Sequence, residues 1–140
     1  MVALTITAAN VVWQSGTKPL SDQVAGEAFI AGAAIYLAAN GKWLKAQADG
    51  TAIEAGSGGI GMALATADAL GARISVALPG AIVAIGAGAA GVVYHPGGTA
   101  GSLVPTADLV STNKVTVAAL GIGTNQVQLA GDYNAGSVLA

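Results

Sequence analysis

One short motif in the sequence has the spacing of a nucleotide-binding loop. Gly86, Gly88 and Gly91 match the G-x-G-x-x-G pattern, and Asp108 follows where a ribose-binding carboxylate is expected. That chemistry needs a helix that begins within the motif, because the helix N-terminal amides bind the pyrophosphate. Residues 92–98, VVYHPGG, contain two β-branched residues, a proline and two glycines, and cannot form such a helix. We therefore predict a strand after Gly91 and no nucleotide cofactor.

The remaining groups that could do chemistry are few and dispersed. The single histidine, His95, could form a triad with Ser102 and Asp108, but no serine lies in a nucleophile-elbow motif. The carboxylates occur mostly singly, which does not indicate an acid–base pair, a calcium loop or a zinc site. Cysteine is absent, which excludes disulfides and thiolate ligands. We predict that the chain is not an enzyme and has no catalytic, cofactor-binding or metal-binding residues.

Charge is unusually sparse in this chain. Only 9% of the residues are charged, against about a quarter in typical soluble domains. This composition favours a surface that is hidden in an assembly, or one kept soluble by uncharged polar residues. The basic residues form no stripe that could neutralise phosphates, so we predict no nucleic-acid partner. They are Lys18, Lys42, Lys45, Arg73 and Lys114.

The uncharged stretch Ile74–Tyr94 is long enough to cross a bilayer as a helix. Its centre contains Pro79-Gly80, however, and Ile74, Val76 and Leu78 alternate with smaller residues at a period of two. It also lacks flanking aromatic and basic anchors. We predict no membrane span here, and strands that are buried on both faces.

Turn signals recur about every ten residues between short apolar runs, which is typical of an all-β sandwich or barrel. Asn40-Gly41 predicts a hairpin, because both residues accept positive φ. Pro79-Gly80 predicts a second hairpin with a type II turn. The best helix candidate, residues 63–72, is short and predicts one turn at most. The expected fold is therefore all-β: a small β-barrel or β-sandwich with at most one short helix.

Residues 1–23 differ in pattern from the remainder, and we divide the chain into this segment and a single β domain at 24–140. We predict an extended N-terminal arm that docks on a neighbour by strand addition; the alternative is a first strand of the same sheet. If the segment is an arm, deleting residues 1–23 should abolish partner binding and leave the domain folded. The candidate partner-binding residues are Leu4, Ile6, Val11, Val12, Trp13, Lys18 and Pro19.

Five segments between about residues 24 and 130 resemble the small capsid decoration, or cement, proteins of tailed bacteriophages. These segments carry fold-type patterns and no catalytic residues. They are Gly32–Leu37 (GAAIYL), Gly61–Leu64 (GMAL), Ile74–Ala81 (ISVALPGA), Gly91–Tyr94 (GVVY) and Leu120–Thr124 (LGIGT).

The resemblance implies a compact β domain, often a homotrimer, that binds the outer surface of the phage head where major capsid subunits meet. Such a protein stabilises the expanded shell and is assembled in the host cytoplasm. The expected function is therefore that of a structural virion protein whose partner is the major capsid protein. Two alternatives stay open: a head- or tail-fibre module that binds the host surface and, further removed, a nucleotide-dependent enzyme.

Overall fold

A computed structural model describes residues 6–47, 60–86, 90–97, 100–105, 114–116, 118–123, 125–129 and 134–138. The described residues form thirteen β-strands and one 3-10 turn, Ala8–Asn10. In chain order the strands are β1 (Val12–Ser15), β2 (Leu20–Val24), β3 (Ala34–Leu37), β4 (Trp43–Lys45), β5 (Ile60–Ala63), β6 (Arg73–Ala77), β7 (Ile82–Ala84), β8 (Val93–Pro96), β9 (Leu103–Pro105), β10 (Lys114–Thr116), β11 (Ala119–Gly123), β12 (Gln126–Leu129) and β13 (Asn134–Val138).

Two antiparallel sheets make up most of the fold. One has six strands in the order β1-β7-β12-β11-β8-β9, and the other has five in the order β2-β6-β5-β3-β4. Strands β10 and β13 pair separately. Neither large sheet has a ladder that closes on itself. The all-β prediction is confirmed, and the arrangement is consistent with a β-sandwich and is not a closed barrel.

The main hydrophobic core lies between the two large sheets. The six-stranded sheet contributes Val83 and Val127, and the five-stranded sheet contributes Met62, each at most 1% exposed. These residues point inward because side chains alternate between the two faces of a strand. Small core residues such as Ala77 and Ala119 allow the sheets to approach closely.

The five-stranded sheet is also buried on its other face, around a second and smaller core. Ile35 and Val76 lie in this second core, and Phe29 and Ala67 join it from the connecting segments through a β-bridge. Strands buried on both faces were therefore correctly predicted for β6. The six-stranded sheet differs in part: alternate residues of β7, β11 and β12 are exposed or half-buried, whereas Tyr94, His95 and Pro96 of β8 are all buried.

The hairpin predicted at Asn40-Gly41 is confirmed in its pairing, but of the two turn residues only Gly41 has the expected positive φ. Strands β3 and β4 pair in antiparallel register from Ile35–Lys45 to Leu37–Trp43, and Gly41 has a φ of +81°. The side chain of Asn40 accepts a hydrogen bond from the Lys42 amide at 3.0 Å. Local turn chemistry is sufficient to define this element.

At Pro79-Gly80 the predicted turn is confirmed, but the predicted pairing of the two strands beside it is wrong. Gly80 has a φ of +93°, and the Ala81 amide donates to the Leu78 carbonyl at 3.0 Å. Strand β6 nevertheless pairs with β2 and β5, whereas β7 pairs with β1 and β12. The turn therefore carries the chain from one sheet to the other. Ala77 and Ala81 on its two sides are fully buried in the main core.

The glycine motif is followed by a strand, as predicted. Strand β8 begins at Val93, and Gly86 and Gly91 adopt positive φ values. Gly88 and Asp108 lie outside the described residues. Residues 63–72 form no helical turn. Ala67 instead forms a β-bridge with Phe29, and the Ala72 amide donates a hydrogen bond to the Ala69 carbonyl in a tight turn.

Part of the N-terminal segment supplies edge strands to both large sheets. Strand β1 pairs with β7 in the six-stranded sheet, and β2 pairs with β6 in the five-stranded sheet. For residues 12–24 the structure thus shows strands of the chain's own sheets in place of the predicted extended arm. The physical reason is burial: Val11 and Trp13 pack on the main core. The division of the chain at residue 23 stays a prediction.

Candidate protein-binding face

The seven candidate partner-binding residues have different positions in the structure. Leu4 lies outside the described residues. Val11 is only 9% exposed and belongs to the main core, so it is not available to a partner in this conformation. Ile6 and Trp13 are half-buried and pack against the same core. Lys18 is exposed and Pro19 half-buried in the connection between β1 and β2.

Val12 is the exception among the described apolar candidates, because 55% of its surface is exposed. It lies on the side of β1 that faces away from the main core. Trp13, next to it, points the other way and donates from Nε1 to the Thr17 carbonyl at 3.0 Å. The structure therefore separates the candidate residues and leaves Val12 on a different surface, the outer side of the six-stranded sheet.

A continuous row of uncharged residues crosses this outer side. Successive cross-strand pairs join residues of β1, β7, β12, β11 and β8. In order across the sheet these residues are Ser15, Ile82, Gln128, Leu120 and Val93. Each is exposed or half-buried, in contrast to the inward-facing residues that alternate with them.

A second, shorter row lies beside the first. Val12 pairs with Ala84, and Ala84 pairs with Gln126. The Gln126 side-chain amide donates a hydrogen bond to the Gln14 side chain. Ile122 projects from β11 on the same side as Leu120 and is 39% exposed. Together the two rows form what we call the outer face: Val12, Ser15, Ile82, Ala84, Val93, Leu120, Ile122, Gln126 and Gln128.

The six strands of this sheet contain no Asp, Glu, Lys or Arg residue. An antiparallel sheet whose outer side faces water normally alternates apolar and polar residues. Here the outer face combines apolar side chains with glutamine amides, which can each donate and accept a hydrogen bond. Such a face can be buried without the cost of desolvating a charge.

The charged residues gather on the other side of the molecule. Among residues whose side chains the structure describes, all of them lie in strands of the five-stranded sheet or in the segments beside them. They are Lys18, Asp22, Glu27, Lys42, Lys45, Asp68 and Arg73. The described side chains therefore define a charged side, around the five-stranded sheet, and an outer face that carries no charge.

Other kinds of site find little support in the described residues. They contain no group of three or more His, Asp or Glu side chains that could hold a metal ion. No helix among them has the length and apolar character of a membrane span. His95 is 3% exposed within β8, opposite Val104 of β9, and its proposed triad partner Asp108 lies outside the described residues.

Comparison with known proteins gave no matching family model, no matching curated protein and no matching solved structure.

Sequence reasoning missed most of the outer face. It singled out Val12 but none of the partner residues on β7, β11 and β12. One signal was present, since no formal charge occurs between Arg73 and Asp108. That signal was interpreted as burial on both faces. The sequence does not show which strands lie in the sheet whose second face is covered by other segments.

Proposed function

We propose that this chain is a structural virion protein, a capsid decoration protein that binds the outer surface of a tailed-phage head. In this proposal the outer face contacts the major capsid protein and the charged side faces solvent. The protein binds as a homotrimer and stabilises contacts between capsid subunits. It is assembled in the host cytoplasm and acts on the virion.

The observation that carries the proposal is the uncharged outer face. Val12, Leu120 and Ile122 are between 37% and 55% exposed on it, which leaves apolar area available for burial. A decoration protein must bind a large protein surface without chemistry, and this face offers apolar contact and amide hydrogen bonds without charge. The resemblance of five segments to phage decoration proteins supplies the identity of the partner.

The energetics suit a protein that acts in many copies. Complete burial of a Val, Leu or Ile side chain contributes about 1.5–3 kcal/mol. Three such residues that are partly exposed would therefore contribute roughly 2–4 kcal/mol together, which alone gives weak binding. Linking protomers in a trimer raises the apparent affinity, because the second and third contacts become intramolecular.

Co-sedimentation with phage heads tests this proposal. The purified chain is mixed with expanded and with unexpanded heads of its own phage, and the bound fraction is measured after centrifugation. We expect binding to expanded heads and an increase in their resistance to heat or to loss of DNA. Leu120→Lys, which places a charge in the centre of the outer face, should weaken binding at least tenfold.

Leu70→Lys is the matched control. Leu70 is 64% exposed, but it lies in the connection between β5 and β6, on the charged side of the molecule. This variant should bind like the original chain. Equal loss in both variants, or no binding of the original chain to either form of the head, would contradict the proposal. Binding to host cells in place of heads would favour the fibre-module alternative.

A further inference from the structure

A cleft of about 330 Å³ lies away from the outer face, beside the start of β3 and the end of β4. This volume is at the lower end of the range of about 300–1,000 Å³ that is typical of small-molecule sites. Most of its walls are apolar. The apolar side chains that line it are Ile6, Phe29, Ile30, Ala33, Ala100 and Leu103.

Two glycines allow the walls of the cleft to come close together. Gly32 and Gly101 both line it and have φ values of +94° and +82°. A Cβ atom on Gly32 would lie 2.6 Å from Cγ2 of Ile6. A Cβ atom on Gly101 would lie 3.2 Å from Cδ of Lys45. Ile6 and the aliphatic part of Lys45 therefore pack directly on glycine backbone.

Lys45 is the one charged residue among the described residues that line the cleft. Its Nζ lies 3.8 Å from Oε1 of Glu27, at the outer limit of an ion pair, and both side chains are at least one-third exposed. Such a pair is weak, with a net contribution of about 0–1 kcal/mol. The other Glu27 carboxylate oxygen accepts the Lys45 backbone amide at 2.9 Å. Glu27 is therefore held by the backbone, whereas the Lys45 ammonium can exchange this contact for a ligand.

We propose that this cleft binds an apolar carboxylate, a ligand with a short hydrocarbon body and a single anionic end. The hydrocarbon body contacts Phe29, Ile30 and Leu103, and the carboxylate pairs with the ammonium of Lys45. The combination of apolar walls with one cation favours this class over neutral or cationic amphiphiles. The inference is independent of the proposed virion function, since the outer face takes no part in it.

Isothermal titration calorimetry of the full chain with three eight-carbon probes tests the proposal. The probes are octanoate, 1-octanol and octylamine, which share a hydrocarbon body and differ in the charge of the end. We expect octanoate to bind, 1-octanol to bind about tenfold more weakly or worse, and octylamine not to bind. Absence of octanoate binding, or equal affinities for octanoate and octylamine, would overturn the proposal.

Variants of two neighbouring lysines locate the site. Lys45→Met keeps an apolar side chain of similar length and should weaken octanoate binding about tenfold or more. Lys42→Met makes the same chemical change just before β4, at a residue that does not line the cleft, and should leave the affinity unchanged. Ala100→Leu should block binding by filling the cleft. Equal effects of the two lysine variants, or undiminished binding by Ala100→Leu, would contradict the assignment.

A peptide probe distinguishes the source of the carboxylate. N-acetyl-Val-Leu presents an apolar body with a free carboxylate, as a protein C-terminus does. The same peptide with a C-terminal amide lacks the negative charge. Binding of the acid and not of the amide would extend the site to peptide termini and support the assigned chemistry. Equal binding of acid and amide would show that the anion is not recognised and would overturn it.

Discussion

Trp43 Nε1 donates a hydrogen bond to Oε1 of Gln23 at 3.0 Å, although the two residues lie in opposite edge strands of the five-stranded sheet. A bridge between Ala25 and Trp43, and a hydrogen bond from the Gly26 amide to the Trp43 carbonyl, lie beside it. The sheet therefore curls so that its two edge strands come into contact at this one point, without a continuous ladder between them. This curl encloses the second core, in which Ile35 and Val76 are fully buried.

Removal of the Gln23 acceptor should destabilise the fold. Trp43 is only 4% exposed, so Gln23→Ala leaves a buried indole N–H without this acceptor. We expect a loss of about 1–3 kcal/mol in the free energy of unfolding, measured by urea denaturation. Gln128→Ala, on the exposed outer face, should change it by less than about 0.5 kcal/mol. Equal effects of the two substitutions would contradict the importance of this edge contact.

The contact between Gly16 and Gly80 should tolerate no side chain. Gly16 has a φ of +84°, and a Cβ there would lie 2.2 Å from the Gly80 carbonyl oxygen. Gly41 has a similar φ of +81° with no atom within 4 Å of the same position. We expect Gly41→Ala to cost about 1–2 kcal/mol from backbone strain alone. Gly16→Ala should lower the free energy of unfolding, measured in guanidinium, by about 1–3 kcal/mol more than Gly41→Ala does. Equal losses in the two variants would argue against the close approach of Gly16 to Gly80.

Deletion of residues 1–23 should prevent the remaining chain from folding cooperatively. The deletion removes β1 and most of β2, and it takes Val11 and Trp13 away from the main core. This expectation replaces the one derived from the sequence, in which the shortened chain stays folded. Far-UV circular dichroism and a thermal melt provide the measurement. A shortened chain that melts cooperatively near the temperature of the full chain would restore the arm interpretation.

Binding to phage heads should depend little on salt. The outer face carries no charged residue, and salt screens interactions between charges. We expect the dissociation constant to change by less than about threefold between about 50 mM and 500 mM NaCl. A competing mode of binding through the charged side would weaken by more than about tenfold over the same range. Quantitative co-sedimentation at several salt concentrations separates the two.

Local sequence was sufficient for several elements of the fold. Asn40-Gly41 marks a hairpin because Gly41 accepts a positive φ and the Asn40 side chain accepts a hydrogen bond from the nearby Lys42 amide. The strand after Gly91 follows equally from local chemistry, since β-branched residues before a proline exclude a helix. The all-β class follows from the recurrence of such turns. These features need no information about distant parts of the chain.

The pairing of strands was decided only by tertiary structure. Pro79-Gly80 forms the predicted turn, yet the strands on its two sides join different sheets. A turn fixes the direction of the chain over a few residues, whereas pairing depends on which distant strands bury the adjoining apolar residues. For the same reason residues 12–24 supply edge strands, and the two edge strands of the five-stranded sheet contact each other at Trp43.

The outer face shows the same division between sequence and structure. The sequence by itself determined that long stretches of the chain carry no charge, that the fold is all-β, and which residues can alternate between two faces of a strand. The sequence did not determine whether the face of each sheet that points away from the main core is covered. The tertiary structure covers the five-stranded sheet with Phe29 and Ala67 and leaves Leu120 and Ile122 exposed on the other sheet. Coverage depends on contacts between residues far apart in the chain, and these arise only when the whole chain folds.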